Sequence, residues 1–288
     1  METTEDLAER RPASEQAPAG VRIQSAAFFL ELSLDWIVLR ASENVHHLLG
    51  ESHVTLIDEP LGRFVHSQAL HDLRNLFARL SGTTGIGRAY AVRLTNDPEL
   101  FDIAFQLSDG RVLLEATPST GAYGEAFGTV GGLVAGLANS HGQALLDGGA
   151  RRMRALTGFD RVTLVCGDHR AESSRGAFPA PANMTADLPT IVADAQAAAV
   201  PIFPRVDDDA AAADALLRAP GTEILTPMAS MGIRSSMRVT FEVDNLRGEF
   251  RCGSRTPRPV SFELHAAAEL FAQLFAMRLE IDHLRNGG

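Results

Sequence analysis

A chain of 288 residues, 45% hydrophobic and 22% charged, has the composition of a soluble protein with one large domain or two ordinary ones. Its 26 basic residues are all arginine, which excludes Schiff-base chemistry, a P-loop lysine and a kinase β3 lysine. The net charge of −10 opposes non-specific nucleic-acid binding, and no run of eighteen apolar residues is present to span a membrane.

Residues 1–20 carry Glu, Arg, Ala and Pro with almost no large apolar side chains, the pattern of a flexible tail. They lack the apolar core of a signal peptide, so a cytoplasmic location is expected. Ala26–Leu32 and Trp36–Leu39 read as two strands around Ser33–Leu34–Asp35, and Ala41–Leu49 as a short helix with Ser42 as a candidate N-cap. In 67–81, Leu70, Leu73, Leu76, Phe77 and Leu80 share one helical face. Tyr90–Leu94, Phe101–Leu107 and Arg111–Ala116 read as strands, the last two joined by the turn signal Ser108–Asp109–Gly110. The first unit is therefore α+β, over 21–120, with a boundary in the Thr, Ser and Gly-rich run Thr117–Gly124.

A second α+β unit, 125–288, opens with a glycine-interrupted helical stretch from Phe127 to Thr157, followed by a strand at Val162–Val165. Residues 168–188 read as loop, Thr190–Ala197 and Ala210–Leu217 as helices, and Val200–Pro204, which joins them, as strand or extended chain. Ser236–Val243 and Glu249–Cys252 pair as a hairpin across Asp244–Asn245, and a helix over 261–284 ends the fold. On that helix Leu264, Ala267, Phe271, Leu274, Met277, Ile281 and Leu284 form one stripe, widened by Ala268, Phe275 and Leu279. One face is expected to pack on its own domain and the adjoining one to meet a partner helix. A single broad core face is the alternative.

Residues able to carry chemistry are sparse. His46–His47 and His66 with His71 lack the spacing that aligns two imidazoles on a helix, and Asp207–Asp208–Asp209 reads as a helix N-terminal cap. Cys166 and Cys252 end apolar strands and read as small buried hydrophobes. No nucleophile, base and orienting group can be assembled, so a non-catalytic protein is expected.

Several strings resemble the photosensory module of bacterial phytochromes, a PAS domain followed by a GAF domain. Ile23–Gly50, with Ala41–Ser42–Glu43–Asn44, is similar to the opening PAS segment, and Ser108–Asp109–Gly110 with Leu113–Leu114–Glu115 to its last hairpin. Leu156–Val165 (LTGFDRVTLV) is similar to the first GAF strand, and Phe178–Pro179–Ala180, Met231–Gly232–Ile233 and Leu246–Cys252 follow in the family's order. The resemblance implies a central antiparallel sheet flanked by helices in each domain, and a knot in which the tail before Val21–Gln24 threads a GAF loop. It also implies that biliverdin-handling positions are occupied by other residues. No cysteine stands in the tail, Ala182 takes the place of an aspartate, and Ile224 that of a histidine. Ala229 and Pro201 replace propionate-binding arginines, Gly253 the end-ring histidine and Val165 a tyrosine.

The expected function is a phytochrome-like signalling or interaction protein without a cofactor. It would act through a homodimer formed by the C-terminal helix (Leu264, Phe271, Leu274, Phe275, Ile281, Leu284), or by docking on a phytochrome or other signalling protein. The alternatives are a red-light receptor holding biliverdin by atypical contacts, with Cys252 a possible attachment thiol, or a GAF sensor of another small apolar ligand. Neither a nucleic acid nor a membrane is expected as partner, and no metal.

Overall fold

The structure, a computed structural model, describes residues 20–80, 85–121, 124–179, 189–206, 210–243 and 246–286. The readings made for 1–19, for Ala182, for Asp207–Asp209 and for the hairpin turn Asp244–Asn245 fall outside those residues.

The first unit comprises strands β1 (Arg22–Gln24), β2 (Phe28–Leu32) and β3 (Val38–Ser42), then short helices α1 (His46–Leu49) and α2 (His53–Leu56). Helix α3 (Ser67–Leu80) precedes β4 (Gly87–Val92), β5 (Phe101–Ser108) and β6 (Arg111–Pro118). The chain can reverse between β5 and β6 in two residues because Asp109 and Gly110 both take positive φ (47° and 70°), the geometry whose twist matches the flanking strands. Trp36 is not in a strand: it sits in the β2–β3 turn at φ 66° and packs edge-on against Phe77 of α3, 6.1 Å between ring centres. Nor does the Ser42 side chain cap a helix. Its hydroxyl accepts the N–H of Phe29 at 2.9 Å, and a 3₁₀ turn at Glu43–Val45 precedes α1.

The second unit comprises α4 (Glu125–Ala135), α5 (Gly142–Thr157), β7 (Arg161–Cys166), β8 (His169–Ser174), β9 (Ile191–Val192) and β10 (Ala199–Phe203). Helices α6 (Ala210–Ala213) and α7 (Thr222–Ser230), strands β11 (Ser235–Val243) and β12 (Leu246–Ser254), and helix α8 (Phe262–Asn286) complete it. Four expectations are corrected. His169–Ser174 is strand rather than loop, Thr190–Ala197 holds a two-residue strand rather than a helix, the helix at Ala210 stops at Ala213, and α7 is a helix the sequence pattern did not indicate.

The strands form two antiparallel sheets, β1-β10-β3-β2-β6-β5-β4 and β8-β7-β12-β11-β9. Side-chain alternation gives each sheet two distinct faces. In the first, Leu30, Leu32, Ile103, Phe105, Val112 and Leu114 face the unit's own helices, while Phe29, Ala104 and Leu113 join the core of the second unit. In the second sheet, Val162, Leu164, Val239, Phe241, Phe250 and Cys252 pack under α5 and α8, where Phe250 meets Phe275 at 5.3 Å and Phe271 at 6.0 Å. Gly149 of α5 permits this closeness, because a Cβ there would lie 2.4 Å from the Phe275 ring.

Strand β10 belongs to the second unit by sequence and to the first by pairing. Pro201 opposes Arg22, Ile202 opposes Ser42, and the other edge of β1 meets the 217–219 segment through Gln24 N–H to Leu217 O (3.0 Å) and Ala219 N–H to Arg22 O (2.8 Å). The buried Gln24 amide donates to Ile191 O at 2.6 Å and accepts the Ala193 N–H at 2.8 Å. The segments 191–206 and 210–219 thus clasp β1 on both edges, while the tail whose threading the resemblance implies lies outside the described residues.

Candidate functional site

The face of the second sheet turned away from α5 and α8 is where the resemblance expects a ligand. Alternation places Arg161, Thr163 and Val165 of β7, Arg251 and Gly253 of β12, and Ser236 of β11 on it. Helix α7 lies over one end of this face, because Ile224 and Met228, one turn apart, form an apolar cluster with Val192 and Ile233. The cluster closes on Gly253, where a Cβ would stand 3.0 Å from Ile233 Cδ1. A larger residue at Gly253 would have to displace Ile233.

The expected positions do not all converge. Val165 and Gly253 share the open face, and Ile224 points toward it from α7. Ala229 is exposed on α7, on the side away from the cluster. Pro201 is not on this sheet at all, since it pairs with Arg22 in the interdomain strand β10. Cys252 is corrected as well: it faces the helices, opposite to its neighbour Gly253, and burial pushes its thiol up to about 12. It is neither at the wall of this face nor ionised to react there. The Cys166 thiol is likewise raised by burial.

Sequence reasoning missed the guanidinium groups of this face. Arg161 is buried and donates to Glu172 Oε2 at 2.7 Å and to Pro179 O at 2.9 Å, with Phe178 below its plane. Arg251 donates through Nε to Glu249 Oε1 at 2.6 Å. Arg234, at the head of β11, holds both oxygens of Asp194 (2.6 and 2.8 Å), and its guanidinium keeps that carboxyl below the usual range. Arg161 and Arg251 were findable, because the alternation in RVTLVC and in GEFRCG marks their face as the polar one.

A second polar group lies where the two units meet. Arg88 of β4 donates through Nη2 to His265 Nδ1 (2.8 Å) and Glu269 Oε2 (2.7 Å) of α8. The other ring nitrogen of His265 donates to the backbone carbonyl of Arg238, and burial, with Arg88 beside it, pushes the imidazole down to about 3. Burial raises the Glu269 carboxyl, against the pull of Arg88. His265 and Glu269 also line an interdomain cleft of about 420 Å³ with Gln106, Asp214, Arg238 and Arg247.

The helix stripe divides. Phe271 and Phe275 are wholly buried in the domain's own core, Leu264 and Leu274 are half-buried, and Ile281 and Leu284 are exposed (45% and 70%) together with Met277. Phe271 and Phe275 are therefore unavailable to a partner, because they pack on Phe250 and Phe241. Among the described residues no group of three or more His, Cys, Asp and Glu is placed to hold a metal, and no helix is long and apolar enough to cross a membrane.

No protein-family profile matches the chain. It is 26% identical over 273 residues to the phytochrome-like protein Cph1 of a Synechocystis species, a match covering 83% of this chain and 36% of that relative. The chain thus spans about a third of the relative's length. Among solved structures it is similar to the chromophore-binding domain of the bacteriophytochrome RpBphP3 from R. palustris, with TM-score 0.76, 22% identity, and coverage of 94% of this chain and 99% of that one. It is also similar to the chromophore-binding domain of Stigmatella aurantiaca phytochrome P1, with TM-score 0.72, 22% identity, and coverage of 92% and 98%. The two sheets and these likenesses give the chain the fold of a phytochrome chromophore-binding domain.

Proposed function

We propose that this chain is a non-catalytic signalling or interaction module of phytochrome type that does not hold a bilin in the manner of its relatives. The observation that carries the reading is the state of the arginines on the open GAF face. Arg161, Arg234 and Arg251 are each already engaged by a carboxylate of the same domain, Glu172, Asp194 and Glu249, and Arg238, which opposes Arg251 on this face, also has a partner within the fold. A tetrapyrrole's propionates need cations, and taking one of these would break an ion pair already made, at a cost of about 1 kcal/mol for pairs as open to water as these. Of the positions facing that end, Ile224, Met228, Val192, Ile233 and Gly253 carry no hydrogen-bonding side chain for pyrrole N–H groups or carbonyls, and the Ser236 hydroxyl stands beside them.

Output is proposed to run through the exposed end of α8, where Met277, Ile281 and Leu284 suit a second copy of the chain. Mixing the purified chain with biliverdin and recording its visible spectrum tests the loss of pigment. The expected result is no stable red-absorbing band; a band that photoconverts overturns the reading. A zinc-fluorescent covalent adduct is not expected, and one that disappears in Cys252→Ala would restore the thiol attachment that the strand geometry opposes.

A further inference from the structure

Glu115 is a buried carboxylate that has no ion-pair partner among the described residues. It projects from β6 toward the second unit, opposed by Phe29 on β2 and Ala104 on β5. Its two oxygens accept the backbone N–H groups of Leu216 and Leu217, both at 2.8 Å. Leu217 in turn accepts the N–H of Gln24, so the segment held by Glu115 is the limb that encloses β1. This carboxyl of the PAS unit, with Gln106 and Ser108 bonding Asp214, fastens the GAF segment beside the N-terminal strand.

The charged groups of the surrounding elements are committed elsewhere. On β2, Glu31 is held by Arg40 (3.0 Å) and Arg111 (3.2 Å). On β5, Asp102 accepts the N–H of Ala91 at 3.0 Å, and in the clasping segment Asp214 accepts the Ser108 hydroxyl at 2.6 Å. Arg218 follows Leu217 in the chain, and β1 contributes the neutral Gln24. What acts on Glu115 is burial, which raises its carboxyl to about 7, against the two N–H groups that pull it down. An ionised carboxylate among Phe29, Ala104, Ala212 and Leu217 has no cation to replace its lost hydration.

We propose that Glu115 is a proton-operated latch between the PAS and GAF units. When protonated it stays seated beneath Leu216 and Leu217. When its proton passes to solvent, the carboxylate favours the form in which that segment withdraws and water reaches both. The latch is independent of whether the GAF face carries a pigment.

Amide hydrogen exchange on the full chain at pH 5.5, 6.5 and 8, corrected for the intrinsic pH dependence of exchange, tests it. The protection of the Leu216 and Leu217 amides should fall at least tenfold between pH 5.5 and 8, while amides of the β5–β6 ladder hold theirs. In Glu115→Gln the pH dependence at these two amides should vanish. Protection that stays level with pH in the unaltered chain overturns the proposal, as does a pH dependence that survives in Glu115→Gln. Should that variant not fold, Glu115→Leu, which also removes the titration, is read by the same two outcomes.

Discussion

His265 provides the sharpest test of how the two units are joined. Its imidazole is held neutral in the fold, pushed from 6.5 down to about 3 by burial and then by Arg88. The unfolded chain would bind a proton at ordinary pH values for histidine, so between pH 6.5 and 3 it carries more protons than the folded one. Stability contributed by the neutral ring is therefore present above pH 6.5 and lost as pH falls toward 3. The difference of 3.5 units corresponds to about 5 kcal/mol in all, of which roughly 2 kcal/mol is lost between pH 7 and 5. His265→Gln keeps a donor for the Arg238 carbonyl and an acceptor for Arg88 but removes the titration. We expect it to cost about 1–3 kcal/mol at pH 7 through imperfect hydrogen bonding. That deficit should shrink by roughly 2 kcal/mol at pH 5. Urea unfolding followed by the fluorescence of Trp36, the chain's one tryptophan, and by helical circular dichroism gives both values. A deficit of equal size at the two pH values would falsify the buried, neutral histidine.

Other perturbations follow from the same contacts. Gly149→Ala should destabilise by about 1–2 kcal/mol in thermal or urea melts, because a Cβ 2.4 Å from the Phe275 ring costs more than helix propensity returns. Ile281→Glu with Leu284→Glu should leave stability within about 0.5 kcal/mol, both side chains being exposed. If α8 is the dimer contact, that pair of substitutions should lower the mass found by light scattering after size exclusion from dimer to monomer; an unchanged dimer moves the interface elsewhere. Arg88→Met should cost about 2–4 kcal/mol by orphaning Glu269 and the His265 lone pair, and Arg88→Met with Glu269→Met should be more stable than Arg88→Met alone. Strictly additive costs would show the contact to be a screened surface pair.

What the sequence disclosed depended on how local the determining forces are. Helix α3, the Asp109–Gly110 turn and α8 were legible because one face of period 3.6, or two residues with permissive φ, sufficed to specify them. Strand β8 was read as loop because only Ala171 of its six residues is buried, which leaves no apolar alternation. Strand β9 is two residues long and exists through its pairing with Ser236 and Met237, more than forty positions away. Helix α7 was hidden by Pro227, and nothing in Ala199–Phe203 announces a strand that joins the other unit's sheet. The positions carried by resemblance fared according to register. Val165 and Gly253 lie in strands with unambiguous alternation and share a face, whereas Pro201 and Ala229 fall in segments whose neighbours are set by tertiary contact.

Strand β12 keeps core packing and the open face on separate residues. Phe250 and Cys252 point to α8 and Thr157, Arg251 and Gly253 to the opposite face, so each function uses alternate residues of one strand. Much of the second unit's packing lies in the Phe241, Phe250, Phe271 and Phe275 cluster, which does not include Val165, Ile224 or Gly253. Nor does the clasp on β1 depend on that face, since Gln24 and Glu115 hold it through backbone groups of 191–193 and 216–217. A change of ligand would therefore alter contacts on one face only, where Arg161 and Arg251 are held by Glu172 and Glu249. Because of the same separation, the Glu115 contact at the seam between the units does not depend on what occupies the open face.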